Sequence, residues 1–182
     1  MNDPLIPPQK PPKDIRELPA RHRYEQIKRA LDLKWRRRDP MADRMMRETV
    51  DALWDAFSKD PWTWCGMWTL QLDGNGLLPG PGRDEAPVAR PLDGLVAECF
   101  KAKDSKLGED GGSPAIAVPV MDLNGRPWAV FVARAATPFN EVDARWIEQV
   151  VKAFRPIKRP DTLQPLKSAA PVPYRPRGGA PG

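Results

Sequence analysis

The spacing of apolar residues changes rhythm along the chain, and each change marks a predicted element. Residues 115–121 are almost wholly apolar, as in a strand buried on both faces. Asn124-Gly125 follows, a pair that tolerates positive φ at both central turn positions and predicts a two-residue hairpin. Residues 126–133 then alternate Trp128, Val130 and Val132 against Ala129, Phe131 and Ala133, which predicts an antiparallel neighbour near the middle of a sheet. Beyond them the period lengthens to that of a helix, with Val142, Trp146, Ile147, Val150, Val151 and Phe154 on one stripe. Asn140, with Asp143 three residues on, resembles a shortened capping box, and Pro156 closes the helix.

Upstream, Tyr24, Ile27, Leu31 and Trp35 form the apolar stripe of a predicted helix over 21–38 whose outer face is basic. Asp39-Pro40 reads as a cap and first helical residue for a second helix over 40–59, carrying Met46, Val50, Leu53, Trp54 and Phe57. Met45 and Met46 suit core filling. Residues 62–72 turn to period two, with Trp62, Trp64, Trp68, Leu70 and Leu72 on one face and Thr63, Cys65, Met67, Thr69 and Gln71 on the other. Three tryptophans on one face suit packing against a helix, a ligand pocket or a stacking platform. A turn at 73–76 leads to a short strand from Leu77-Leu78, and 79–91 reads as a loop with a brief strand around Val88. Gly80, Gly82 and Arg83 lack the spacing of a phosphate loop. Leu95, Val96, Cys99 and Phe100 predict a helix over 93–103 behind an Asp93 cap, and 101–114 reads as a charged, glycine-rich surface connection. The order gives an α+β domain: an antiparallel sheet with a helical layer formed by the N- and C-terminal helices.

Composition adds boundaries. The 23 prolines cluster at both ends and in 79–91, so 1–20 reads as a disordered arm and 156–182 as a disordered basic tail. The domain is then 21–155, with a helical lead-in over 21–59 and the sheet and remaining helices over 62–154. The net charge of +5 conceals a division. Residues 21–38 carry eight basic and two acidic side chains and 155–182 six and one, whereas 39–154 carry twelve and eighteen. Arg36, Arg37, Arg38, Lys158 and Arg159 are therefore the candidates for a nucleic acid or another acidic surface, with Trp35 and Tyr174 available to stack. No base-reading motif accompanies them. Cys65 and Cys99 read as small buried residues, and a lone histidine, His22, leaves little for a metal site or a Ser-His-Asp triad. No cofactor or metal is implied. No run approaches the roughly 20 apolar residues of a membrane helix and no signal-peptide pattern is visible, so the expectation is a cytoplasmic protein away from membranes.

Three stretches resemble the GAF domain, and within that group the free methionine-(R)-sulfoxide reductases. They are Trp64-Cys65-Gly66-Met67-Trp68; Ala117-Val118-Pro119-Val120 with Asn124-Gly125-Arg126 and Ala129-Val130-Phe131; and Phe139-Asn140-Glu141-Val142-Asp143. The resemblance spans roughly residues 24–154. Those reductases attack the sulfoxide through a thiolate and resolve a sulfenic acid as a disulfide. The resemblance puts Ala86 and Val96 at two of their cysteines, the third in a stretch shortened at 101–114, and Ala115 at their ligand-binding glutamate. Cys99, three residues from Val96, is expected to turn away from the same point.

The resemblance thus implies a non-catalytic GAF-like regulatory module, not an enzyme, acting through small-ligand sensing or a protein partner and forming a homodimer through its terminal helices. Trp64, Trp68, Trp128 and Phe131 are the ligand-pocket candidates. Nucleic-acid binding through the basic segments and a surviving thiol reductase using Cys65 or Cys99 are the alternatives.

Overall fold

The computed structural model describes residues 14–37, 41–58 and 61–152. The expectations for the arm before residue 14, for the Asp39-Pro40 cap and for the tail, with Phe154 and Pro156, lie outside the described residues.

The apolar runs form strands β1 (Trp62–Leu70), β2 (Gly76–Arg83), β3 (Arg90–Pro91), β4 (Lys106–Asp110), β5 (Ser113–Met121) and β6 (Pro127–Ala135). All pair antiparallel into one six-stranded sheet in the order β3-β2-β1-β6-β5-β4. The β5–β6 hairpin lies near the middle, as the alternation predicts, with β1 beside β6. Helices α1 (Ala20–Arg37), α2 (Ala42–Phe57) and α4 (Glu141–Lys152) cover one face, and α3 (Gly94–Ala102) covers the other.

The face under α1, α2 and α4 is predominantly apolar. Tyr24, Ile27 and Leu31 of α1, Met45, Met46, Val50, Leu53 and Phe57 of α2, and Ile147, Val150 and Val151 of α4 are buried there against Cys65, Met67, Ile116, Val118 and Phe131. Aromatic rings link the layers, with centroids 4.5 Å apart for Tyr24–Phe57, 5.0 Å for Phe57–Trp62 and 6.0 Å for Trp62–Phe131. Arg16 and Arg23 close the end of α2 by donating to the carbonyls of Asp55 and Ala56, both at 3.0 Å. At the start of α4 the capping box forms: the Asp143 N–H donates to Asn140 Oδ1 at 2.9 Å, and the Asn140 N–H to Asp143 Oδ2 at 3.3 Å.

The structure corrects several expectations. Residues 79–83 are strand rather than loop, because β3 pairs with β2 only at Gly76 and Leu77, leaving Pro79 and Pro81 on a stretch of β2 with one neighbour. Val88 lies in the link before β3 and is exposed. Residues 101–114 contain a strand, β4, joined to β5 through Gly111-Gly112, whose φ values of +60° and +78° make the tight hairpin turn. The β5–β6 turn is longer than two residues: only Gly125 has positive φ, and the Asp122 N–H donates to the Arg126 carbonyl while Asp122 Oδ1 accepts from the N–H groups of Asn124 and Arg126.

Two bulges redirect tryptophans. Trp62 pairs with Ala135 and Trp64 with Arg134, so Thr63 is an extra residue that sends Trp62 to the opposite face from Trp64 and Trp68. Pro127 pairs with Met121 and Ala129 with Val120, so Trp128 is extra on β6 and shares the face of Phe131 rather than that of Val130. Leu72 lies past the end of β1 and is exposed, and Val142 turns outward from α4. Met41, not a polar residue, occupies the N-cap of α2, and the Asp93 side chain pairs with Arg90 instead of capping α3.

Candidate functional site

Charged and polar groups converge on the α3 face. Trp64 and Trp68 stand two pleats apart on β1, with ring centroids 5.3 Å apart. Gly66 between them leaves the room: a Cβ there would meet the Trp64 ring at 2.6 Å. The segment before β3 lies over both rings, since Trp64 Nε1 donates to the Glu85 carbonyl at 2.8 Å and Trp68 Nε1 to the Val88 carbonyl at 2.9 Å. Arg134 of β6 stacks over Trp64 with its guanidinium carbon 4.6 Å from the ring centroid, and Arg90 of β3 stacks over Trp68 at 5.3 Å.

Asp110 sits between the two arginines. Arg90 Nη1 donates to its Oδ1 at 2.8 Å, and Arg134 Nε and Nη2 donate to its Oδ2 at 3.0 and 2.7 Å. Asp110 ends β4 and Arg90 begins β3, the two edge strands, so this contact bridges opposite margins of the sheet across the tryptophans. The Asp110 side chain is only 4% exposed, against 20% for Arg90 and 27% for Arg134. Burial pushes the Asp110 carboxyl up, but hydrogen bonds and positive charge from Arg134 and Arg90 outweigh it and hold the group below the usual carboxylate range. Beneath the cluster lie Leu77, Leu95, Val96, Cys99, Phe100, Val130 and Val132.

Of the ligand-pocket candidates, Trp64 and Trp68 are thus brought together, whereas Trp128 and Phe131 are buried on the helix-covered face. Apolar periodicity does not single out Arg90, Asp110 or Arg134. Arg134 carried a signal, as a cation in an otherwise apolar strand, and Gly111-Gly112 marked the turn that presents Asp110. Ala115, at the ligand-binding glutamate in the resemblance, is the cross-strand neighbour of Arg134. Ala86 is exposed in the segment over the tryptophans, and Val96 is buried on α3.

The thiols lie on opposite faces of the sheet, Cys65 on β1 under α2 and Cys99 on the buried side of α3, and both are free and buried. Cys99 does not turn away from Val96; the two share the buried stripe of α3, as residues three apart on a helix do. Burial pushes the Cys65 thiol far up and Cys99 up to about 12.

Arg36 is exposed near the end of α1; Arg37 is its last residue, and Arg38, Lys158 and Arg159 lie outside the described residues. Other cations of the basic helix are engaged internally: Arg23 with the end of α2, Lys34 with Glu48 at 3.2 Å and Arg21 with Glu25 at 3.3 Å. Among the described residues no three His, Cys, Asp or Glu side chains gather as a metal site, and no helix is long and apolar enough to cross a membrane.

An antiparallel sheet between a layer of terminal helices and a single helix over its other face is the GAF fold. No protein-family model matches the chain, and no curated protein matches it in sequence. Solved structures do. A putative GAF sensor protein from Burkholderia vietnamiensis superposes with a TM-score of 0.62 at 17% identity, over 73% of this chain and 86% of that one. The free methionine-R-sulfoxide reductase of Neisseria meningitidis, in complex with its substrate, gives 0.61 at 18% identity over 71% and 84%. The GAF domain of an Acinetobacter phosphoenolpyruvate-protein phosphotransferase gives 0.59 at 15% identity over 75% and 91%. These likenesses establish the fold, which sensor and reductase share.

Proposed function

We propose that this chain is a non-catalytic GAF-like binding module, working in the cytoplasm, whose ligand site is the α3 face around Trp64 and Trp68. One observation carries the reading: the two thiols are buried on opposite faces of the sheet, while the α3 face gathers two tryptophans and two arginines. Sulfoxide reduction needs an accessible thiolate and a second thiol within reach to resolve it. Two buried thiols with raised pKa values, separated by the sheet, supply neither. A protein partner, a second copy of the chain included, would meet the domain along α1 and α4, where Leu33 and Val142 are 56% and 58% exposed. The test is incubation with free methionine-(R)-sulfoxide and reduced thioredoxin. The expected result is consumption no faster than without protein; sustained turnover would overturn the reading.

A further inference from the structure

The Asp110 carboxylate is held as a bound ligand would be. Each oxygen has its own guanidinium, both guanidiniums are stacked on indoles, and both come from strands other than its own. Two arginines on aromatic faces form a site for a planar anion, because the fork matches a carboxylate and the ring excludes water from one side. The chain supplies that anion itself, from the end of a five-residue edge strand that pairs only with β5. Asp110 is followed by Gly111 and Gly112, both at positive φ, so the acid is presented by a two-glycine hairpin turn at the sheet edge. Asp93, the other acid paired with Arg90, is 65% exposed at 3.5 Å and is a weak competitor.

We propose that Arg90 and Arg134 form a binding site for a small planar carboxylate, and that Asp110 occupies it as an internal, autoinhibitory stand-in. This rests on the reading of the α3 face as a ligand site and names the ligand class. A ligand carboxylate replaces Asp110 between the two guanidiniums, the β4–β5 turn moves away, and the link between the two sheet edges opens. No covalent step is involved. Because the competent state is the minor one, apparent affinity in the wild-type protein is reduced by the fraction of molecules in which Asp110 has left. Removing the internal acid removes that penalty.

The experiment is an NMR titration of the full chain, following the Trp64 and Trp68 indole N–H resonances, with sodium benzoate as probe and benzamide as its uncharged counterpart. Benzoate is expected to shift both resonances in the wild-type protein, to bind Asp110→Asn at least tenfold more tightly, and to lose binding in Arg134→Gln. Benzamide is expected to do nothing. Folded Asp110→Asn protein that ignores benzoate, or that binds benzamide equally well, overturns the proposal, leaving Asp110 a structural clasp. If Asp110→Asn fails to fold, the wild-type titration decides, and unshifted Trp64 and Trp68 resonances at saturating benzoate overturn it. Failure of the binding-module reading is separate, since it would appear as sulfoxide turnover.

Discussion

The two faces of the sheet are closed by different means. Under α1, α2 and α4 the closure is dispersion and apolar burial: three helices lay aliphatic and aromatic side chains on β1, β5 and β6. Over α3 the helix is only nine residues long, and the remaining area is covered by indoles, guanidiniums and one carboxylate. The first kind of closure is insensitive to pH and to added anions. The second contains a titratable carboxylate between two guanidiniums, and on the proposed reading it is the face that responds to both.

The largest expected effect breaks the first side of the comparison. Phe131→Ala removes a fully buried ring packed against Trp62, and should cost about 3–5 kcal/mol in denaturant unfolding without altering the Trp64 indole environment. On the other side, Asp110→Ala leaves two partly exposed arginines without their carboxylate and should cost about 2 kcal/mol. Asp110 also predicts a pH dependence. Its folded carboxyl lies below its unfolded value of about 3.9, so its contribution is complete above that value and is lost as pH falls through the lower, folded one. The stability gap between wild type and Asp110→Asn, read from unfolding midpoints, should therefore be widest at neutral pH and close under acid. Gly66→Ala forces the Trp64 ring from its place and should cost about 1–3 kcal/mol, with a change in the near-ultraviolet circular dichroism of the indoles. Smallest is Asn140→Ala, which removes half of the α4 capping box and should lower stability by about 1 kcal/mol while leaving the α3 face unaltered.

The same contrast explains what the sequence revealed. Apolar periodicity reports burial under helices, so α1, α2, α4 and the β5–β6 pair were legible, as was α3 from Leu95, Val96, Cys99 and Phe100. The margins of the α3 face are built from residues that resemble loop. Pro79, Gly80, Pro81 and Gly82 carry no strand signal because their strand is stabilised by β1 alone. Lys106–Asp110 reads as a solvated connection because its edge position tolerates charge. Asp110, Arg90 and Arg134 lie far apart in sequence and meet only once the sheet brings its edges together. The faces of Trp62 and Trp128 were unreadable for a different reason, since a one-residue bulge reverses every side-chain direction beyond it and leaves no mark on composition.

Cys65 and Cys99 provide one reporter for each face, and their labelling rates by a thiol reagent in native conditions test the account most directly. If the α3 face opens on its own, Cys99 will be labelled faster than Cys65, and Asp110→Asn will widen the gap by accelerating Cys99 alone. Equal rates for both thiols, in wild type and in Asp110→Asn alike, would mean that the two faces open only together, and would contradict it.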